Sequence, residues 1–133
     1  MDTKPMIYSF AYRQHGEDQF PTTGPHAVQV IDCRGLWNPH QDKSLRVKTG
    51  LHKDVQRRMW ESDKAKKLVR EAVAHVRCGR PVAFGCSWGK HRSVALAEMT
   101  ADFLMPRPIV QHTSASMKYY YASQDGGPLH ETN

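Results

Sequence analysis

The chain has 133 residues, 39% of them hydrophobic, which suits one domain with a real core and excludes general disorder. Its net charge of +6 favours anionic partners such as phosphorylated metabolites, nucleic acid or acidic proteins. No apolar run approaches the roughly 18 residues of a membrane span, and "MDTKPMIYSF" lacks a signal-peptide core. Three cysteines without a CxxC pair fit a reduced, cytoplasmic protein that does not meet a membrane. Eight histidines without HxH or HxxxH spacing give no metal site, and no cofactor is expected.

In chain order, "MIYSFAY" (Met6–Tyr12) alternates and is rich in aromatics, so it reads as a strand. "RQHGEDQFPTTGPH" is a polar loop punctuated by Gly and Pro. "AVQVIDC" (Ala27–Cys33) reads as a second strand, apolar enough for burial on both faces. "RGLWNPHQDKSLRVKTG" has no sustained period and reads as a long structured loop of the kind that tends to carry function. From about Lys53 the pattern turns helical. Ala65, Leu68, Val69, Ala72, Val73 and Val76 form one stripe, with Ser62 as N-cap and Gly79 as the stop. "PVAFGC" reads as a buried strand, Ser93–Leu104 as a helix ended by Pro106 and Pro108, and "IVQH" as a last strand. Residues 118–133 read as a flexible tail behind a domain of residues 1–117. The order of elements implies a single-domain α/β fold, a mostly parallel sheet flanked by helices, with ligands at the carboxyl ends of strands.

The segment from Gly85 to Ser93 joins an expected strand to an expected helix and carries Lys90, His91 and Arg92. A helix N-terminus offers unpaired N–H groups and a partial positive charge, which disfavours cations. A bound anion reconciles the two, because amides, dipole and basic side chains then converge on it. The competing reading is a basic turn neutralised by an acidic neighbour such as Glu98. A Walker loop is excluded: the glycine spacing is one residue short and His91 occupies the hydroxyl position.

Cys86 and Arg92 also stand at C-x5-R, followed by Ser93. In cysteine-dependent phosphatases that spacing wraps a loop around phosphate, the arginine grips its oxygens and the thiolate attacks. Asp32 would be the candidate general acid. Gly85 stands where such enzymes carry a histidine, and Trp88 is bulky for such a loop. A small buried cysteine at a strand end is the plainer reading.

Taken together, Ser9-Phe10, Asp32-Cys33-Arg34, Asn38-Pro39-His40, Leu45-Arg46, Thr49-Gly50-Leu51 and Gly85-Cys86-Ser87-Trp88-Gly89-Lys90-His91-Arg92-Ser93-Val94 resemble the RapZ C-terminal domain family of bacterial RNase adapter proteins. The resemblance runs in order from Ile7 to about His112. It implies a non-enzymatic domain that binds a sugar phosphate such as glucosamine-6-phosphate, oligomerises, binds small RNA and presents it to a ribonuclease. It places the ligand on Ser87, Gly89, Lys90, His91 and Arg92, with His40 approaching from the other loop. Cys86, Trp88, Ser93 and Asn38 complete the candidate set, although Asn38 before Pro39 is equally a turn former. RNA contacts are implied at Arg13, Arg34, His40 and Lys90. Ser87-Trp88 replaces the Thr-Gly of the family, and His52 stands where an acidic residue is usual. The nucleotide-binding domain of full-length RapZ has no counterpart here, so a stand-alone domain is expected. A protein-interaction module acting on a full-length RapZ-like partner is a further alternative.

Overall fold

The computed structural model describes residues 4–14 and 16–124. Four strands, β1 (Ile7–Ala11), β2 (Gln29–Asp32), β3 (Val82–Cys86) and β4 (Val110–His112), form one sheet in the order β2-β3-β1-β4. Every pairing is parallel. β1 and β3 are central, and their residues are almost all buried. β2 is an edge strand: Gln29 and Val30 are half-buried and Asp32 is exposed. This corrects the expectation of a strand covered on both faces. A run of apolar residues does not say on which side a neighbour will pair.

The helices are α1 (Lys43–Arg46), α2 (Lys53–Trp60), α3 (Asp63–Arg77), α4 (Arg92–Asp102) and α5 (Ala115–Gln124). Each of the first three starts on a side-chain cap. Asp42 accepts from the Ser44 N–H, His52 from Asp54 and Ser62 from Ala65. The unusual His52 is thus a helix cap, a task an acidic side chain performs equally well. The expected long loop holds α1 and a 3-10 turn at Pro39–Gln41. Residues 118–124, expected in a tail, continue α5, where Met117 and Ser123 are buried. The rest of that tail lies outside the described residues.

Alternation in the central strands divides the core. Ile7, Val82, Phe84 and Cys86 pack with Val55, Met59, Val69, Val73 and Leu96 of α2, α3 and α4. On the other face Phe10, Phe20, Val28 and Ala83 form a smaller aromatic cluster with Tyr8 and Tyr12, closed by the β1–β2 connection. α4 is buried around most of its circumference, which explains its lack of a polar face. Its first turn is met by backbone rather than side chain. A Cβ on Gly50 would lie 2.3 Å from the Ala95 nitrogen and 2.5 Å from the His91 oxygen. The Gly50 N–H donates to the Lys90 carbonyl at 2.8 Å, and Gln56 Nε2 donates to the Gly50 carbonyl at 2.9 Å. Thr49-Gly50-Leu51 is therefore a packing motif that clamps the segment before α4. Among the described residues no helix is long and apolar enough to cross a membrane.

Candidate functional site

β1 and β3 end side by side, with Ala11 opposite Cys86. The chain leaves β1 towards β2 but leaves β3 into α4 and onward to β4 on the other side. The β1–β2 connection packs Phe20 on one face of the sheet and α4 packs on the other, and adjacent strand ends whose connections take opposite faces are the usual ligand position in parallel sheets. Here that position is a cleft of about 330 Å³ lined by Asn38, His40, Cys86, Trp88, Lys90, His91, Arg92 and Ser116.

The loop from β3 to α4 is held from several sides. The Ser87 carbonyl accepts from the Arg13 N–H at 3.1 Å. Gly89 has φ of +64°, and a Cβ there would lie 2.6 Å from Ser114 Cβ and 3.1 Å from Ala11 Cβ. Its carbonyl accepts from Ser114 Oγ at 2.7 Å, which ties the loop to the start of α5. Lys90 Nζ and His91 Nε2 both donate to the Arg46 carbonyl, at 3.0 and 3.2 Å. Burial, and then the neighbouring Lys90 charge, push the His91 pKa down to about 4. His91 is therefore neutral near pH 7, and the positive charge in the cleft comes from Lys90 and Arg92.

Arg92 is only 7% exposed. Its Nη1 donates to the Arg34 carbonyl at 2.8 Å and, less directly, to Leu36 at 3.4 Å. Its Nε and Nη2 have no protein acceptor among the described residues, so one guanidinium edge staples the β2–α1 segment and the other is left to the cleft. Neither Lys90 nor Arg92 has a carboxylate within ion-pair distance among the described residues. Glu98, the neighbour considered for neutralising them, is engaged elsewhere, with His112 at 2.7 Å and Arg107 at 2.7 Å.

Cys86 is 3% exposed, yet it is among the residues that line the cleft. Its Sγ lies 3.1 Å from Ser93 Oγ and accepts from the Ser93 N–H at 3.4 Å. Asp32 is a poor acid: a bidentate bond from Arg34 outweighs its burial and holds the carboxyl below the usual range. Arg34 in turn lies 3.7 Å over the Tyr12 ring, and burial followed by the Asp32 charge raises the Tyr12 hydroxyl to about 12. Arg34 faces a second hollow with Gln14, Glu17 and Asp18, away from the cleft residues.

The structure thus gathers Asn38, His40, Cys86, Trp88, Lys90, His91 and Arg92 around one cleft. The cleft lining does not include Ser87, Gly89 or Ser93, which shape the loop. Asn38 is also the turn former, since its side chain accepts from the His40 N–H at 3.1 Å. Of the candidate RNA residues, His40 and Lys90 line the cleft, Arg13 stacks over Trp88 at 4.6 Å, and Arg34 stands apart. Sequence reading missed Ser116, although the N-cap pattern at Ser114, whose Oγ accepts from the Met117 N–H, marked a helix start there. The carbonyls of Arg34, Leu36 and Arg46 carried no sequence signal.

Comparison with known proteins bears on most of the chain. The family model for the RapZ C-terminal domain matches residues 4–117. A nucleotide-binding protein of Thermus thermophilus is 40% identical over 93 residues, which are 62% of this chain and 34% of that protein. A nucleotide-binding protein of Jannaschia sp. is 37% identical over 106 residues, 71% of this chain and 31% of its own length. The RNase adapter protein RapZ of Escherichia coli is 35% identical over 92 residues, 61% of this chain and 32% of that protein. The chain therefore corresponds to about a third of the length of these relatives. Since the family match takes in all four strands, the β3–α4 loop and the first residues of α5, this chain belongs to the RapZ C-terminal domain family.

Proposed function

We propose that this domain holds the phosphate group of a small ligand in the cleft between Asn38–His40 and the β3–α4 loop, and that it binds RNA in the manner of a RapZ-type adapter. The observation that carries the reading is Arg92, a nearly buried guanidinium with one edge on backbone carbonyls and the other turned to the cleft. A buried cation without a carboxylate partner is costly, and an anion beside it relieves that cost. Lys90 and the start of α4 add charge and backbone N–H groups at the same place. A sugar phosphate such as glucosamine-6-phosphate is the ligand that family membership favours. It likewise favours a homo-oligomeric, cytoplasmic adapter whose partners are a small RNA and a ribonuclease or another RapZ-like chain. Inorganic phosphate or sugar phosphates should raise the melting temperature of the wild type but not of Arg92→Ala. Equal shifts in both would remove the anion site. RNA affinity should fall steeply with salt, and a flat response would count against phosphate-backbone contacts.

A second reading, a cysteine-dependent phosphatase, is favoured by Cys86, which lines the cleft and whose Sγ accepts a hydrogen bond from the Ser93 N–H. Against it stand Arg92, part of which is committed to carbonyls, and Asp32, which is locked to Arg34 as a carboxylate. Turnover of an aryl phosphate that disappears in Cys86→Ser would establish the enzyme reading.

A further inference from the structure

Trp88 is an indole held in the open at the wall of a cationic cleft. It is 61% exposed, it lines the same cleft as Lys90 and Arg92, and the Arg13 guanidinium lies 4.6 Å from its ring centroid. The bond from the Arg13 N–H to the Ser87 carbonyl keeps the Arg13 backbone beside the loop. A single guanidinium covers one ring face at most, so much of the aromatic surface stands unoccupied. A large exposed aromatic side chain is unfavourable in water unless a partner covers it, and a flat π-system is the partner an indole face fits best.

We propose that Trp88 makes the cleft selective for a phosphate that carries an aromatic ring: a nucleoside monophosphate unit, with its phosphate at Lys90 and Arg92 and its base on the Trp88 ring. A non-aromatic sugar phosphate uses only the first of these. The inference rests on the phosphate-site reading above and adds the chemistry of the rest of the ligand. A cleft of about 330 Å³ falls at the small end of ligand pockets, which suits one mononucleotide and not a dinucleotide. His40 belongs to the same lining, and its imidazole offers hydrogen-bonding nitrogens for the polar edge of a base or ribose. Arg13 stacked on the indole extends the platform as a cation over a π-face.

The test titrates inorganic phosphate, ribose 5-phosphate, adenosine and AMP into the wild type, Trp88→Ala and Trp88→Phe, followed by calorimetry. AMP should bind the wild type about tenfold tighter than ribose 5-phosphate, the range expected for one stacked base. Trp88→Ala should bring the two ligands level, Trp88→Phe should restore most of the gap, and inorganic phosphate should bind all three proteins alike. An AMP advantage that survives in Trp88→Ala overturns the proposal, as does AMP binding no tighter than ribose 5-phosphate in the wild type. Adenosine binding as tightly as AMP also overturns it, because the phosphate would then add nothing. If neither phosphate nor ribose 5-phosphate binds the wild type, the phosphate-site reading itself fails, and this proposal with it. A final arm compares 5′-phosphorylated and 5′-hydroxyl tetranucleotides. A Trp88-dependent advantage of the phosphorylated strand beyond that of AMP assigns the site to an RNA end, and equality with AMP assigns it to a free nucleotide.

Discussion

Replacing Glu98 by glutamine isolates one negative charge inside a chain of bonds that joins three elements. Ser9 Oγ on β1 lies 2.5 Å from His112 Nδ1 on β4, and His112 Nε2 lies 2.7 Å from Glu98 Oε2 on α4. Arg107 donates to the other carboxylate oxygen at 2.7 Å. The His112 Nε2–H donates to the carboxylate. The amide oxygen of the introduced glutamine can still accept that hydrogen, so the substitution converts charge-assisted bonds into neutral ones. Charge-assisted bonds contribute about 1.5–3 kcal/mol and neutral ones about 0.5–1.5 kcal/mol, a difference of about 1–1.5 kcal/mol. Arg107 adds little to the loss, because its side chain is 46% exposed and water replaces the lost partner. At this chain length the melting temperature should drop by about 4–6 °C at pH 7. The pH dependence follows from the carboxyl. Burial raises its pKa, but the bonds from His112 and Arg107 outweigh this and leave it below its usual 4.5. A depressed folded pKa gives stability that is present above the unfolded value and lost as the pH falls through the folded one. Chemical denaturation of wild type and Glu98→Gln from pH 7 to pH 3 should therefore show a gap that narrows below about 4.5. A gap as wide at pH 3 as at pH 7 would refute the reasoning, since the loss would then be one of shape and not of charge.

Gly89→Ala should lower stability by about 2 kcal/mol, combining a left-handed φ with a Cβ driven into Ser114, as read by urea unfolding; an unchanged midpoint would show that the loop relaxes freely. His91 should remain neutral at pH 6 by NMR titration and gain its proton only near pH 4, and saturating phosphate should raise that midpoint. An ordinary titration near 6.5 would mean that the ring is not enclosed as described. Thr100 Oγ1 is the one buried side-chain polar atom without a hydrogen-bond partner among the described residues. Thr100→Val should thus stabilise the fold by about 1 kcal/mol, and a loss of similar size would show that the hydroxyl does find an acceptor.

The central strands and α3 were legible because their signals are local. β3 is an unbroken apolar run, and the α3 stripe follows helical spacing between a capping Ser62 and a terminating Gly79. α1 was not legible, since four residues are too few to show a period. The place of β2 at the sheet edge was hidden for a different reason: strand order is a property of the connections and not of the strand. In the site, the cationic loop could be read directly, whereas what each cation touches could not. Lys90, His91 and Arg92 are positioned by the carbonyls of residues 34, 36 and 46, and a carbonyl has the same chemistry whatever side chain it carries. Arg34 shows the converse limit. It shares a motif with Asp32, and the structure uses that motif internally, as an ion pair stacked on Tyr12.

Gly50 separates the ideas of a binding residue and a residue needed for binding. It lies outside the cleft lining, yet its N–H holds the carbonyl of Lys90 and its missing side chain lets the backbone settle on α4. A methyl group at that position would displace the lysine while leaving every residue of the cleft wall chemically unchanged. Loss of ligand affinity from a distant small-residue substitution is, in such a fold, a matter of alignment. The gauge of the site is set where two stretches of main chain touch.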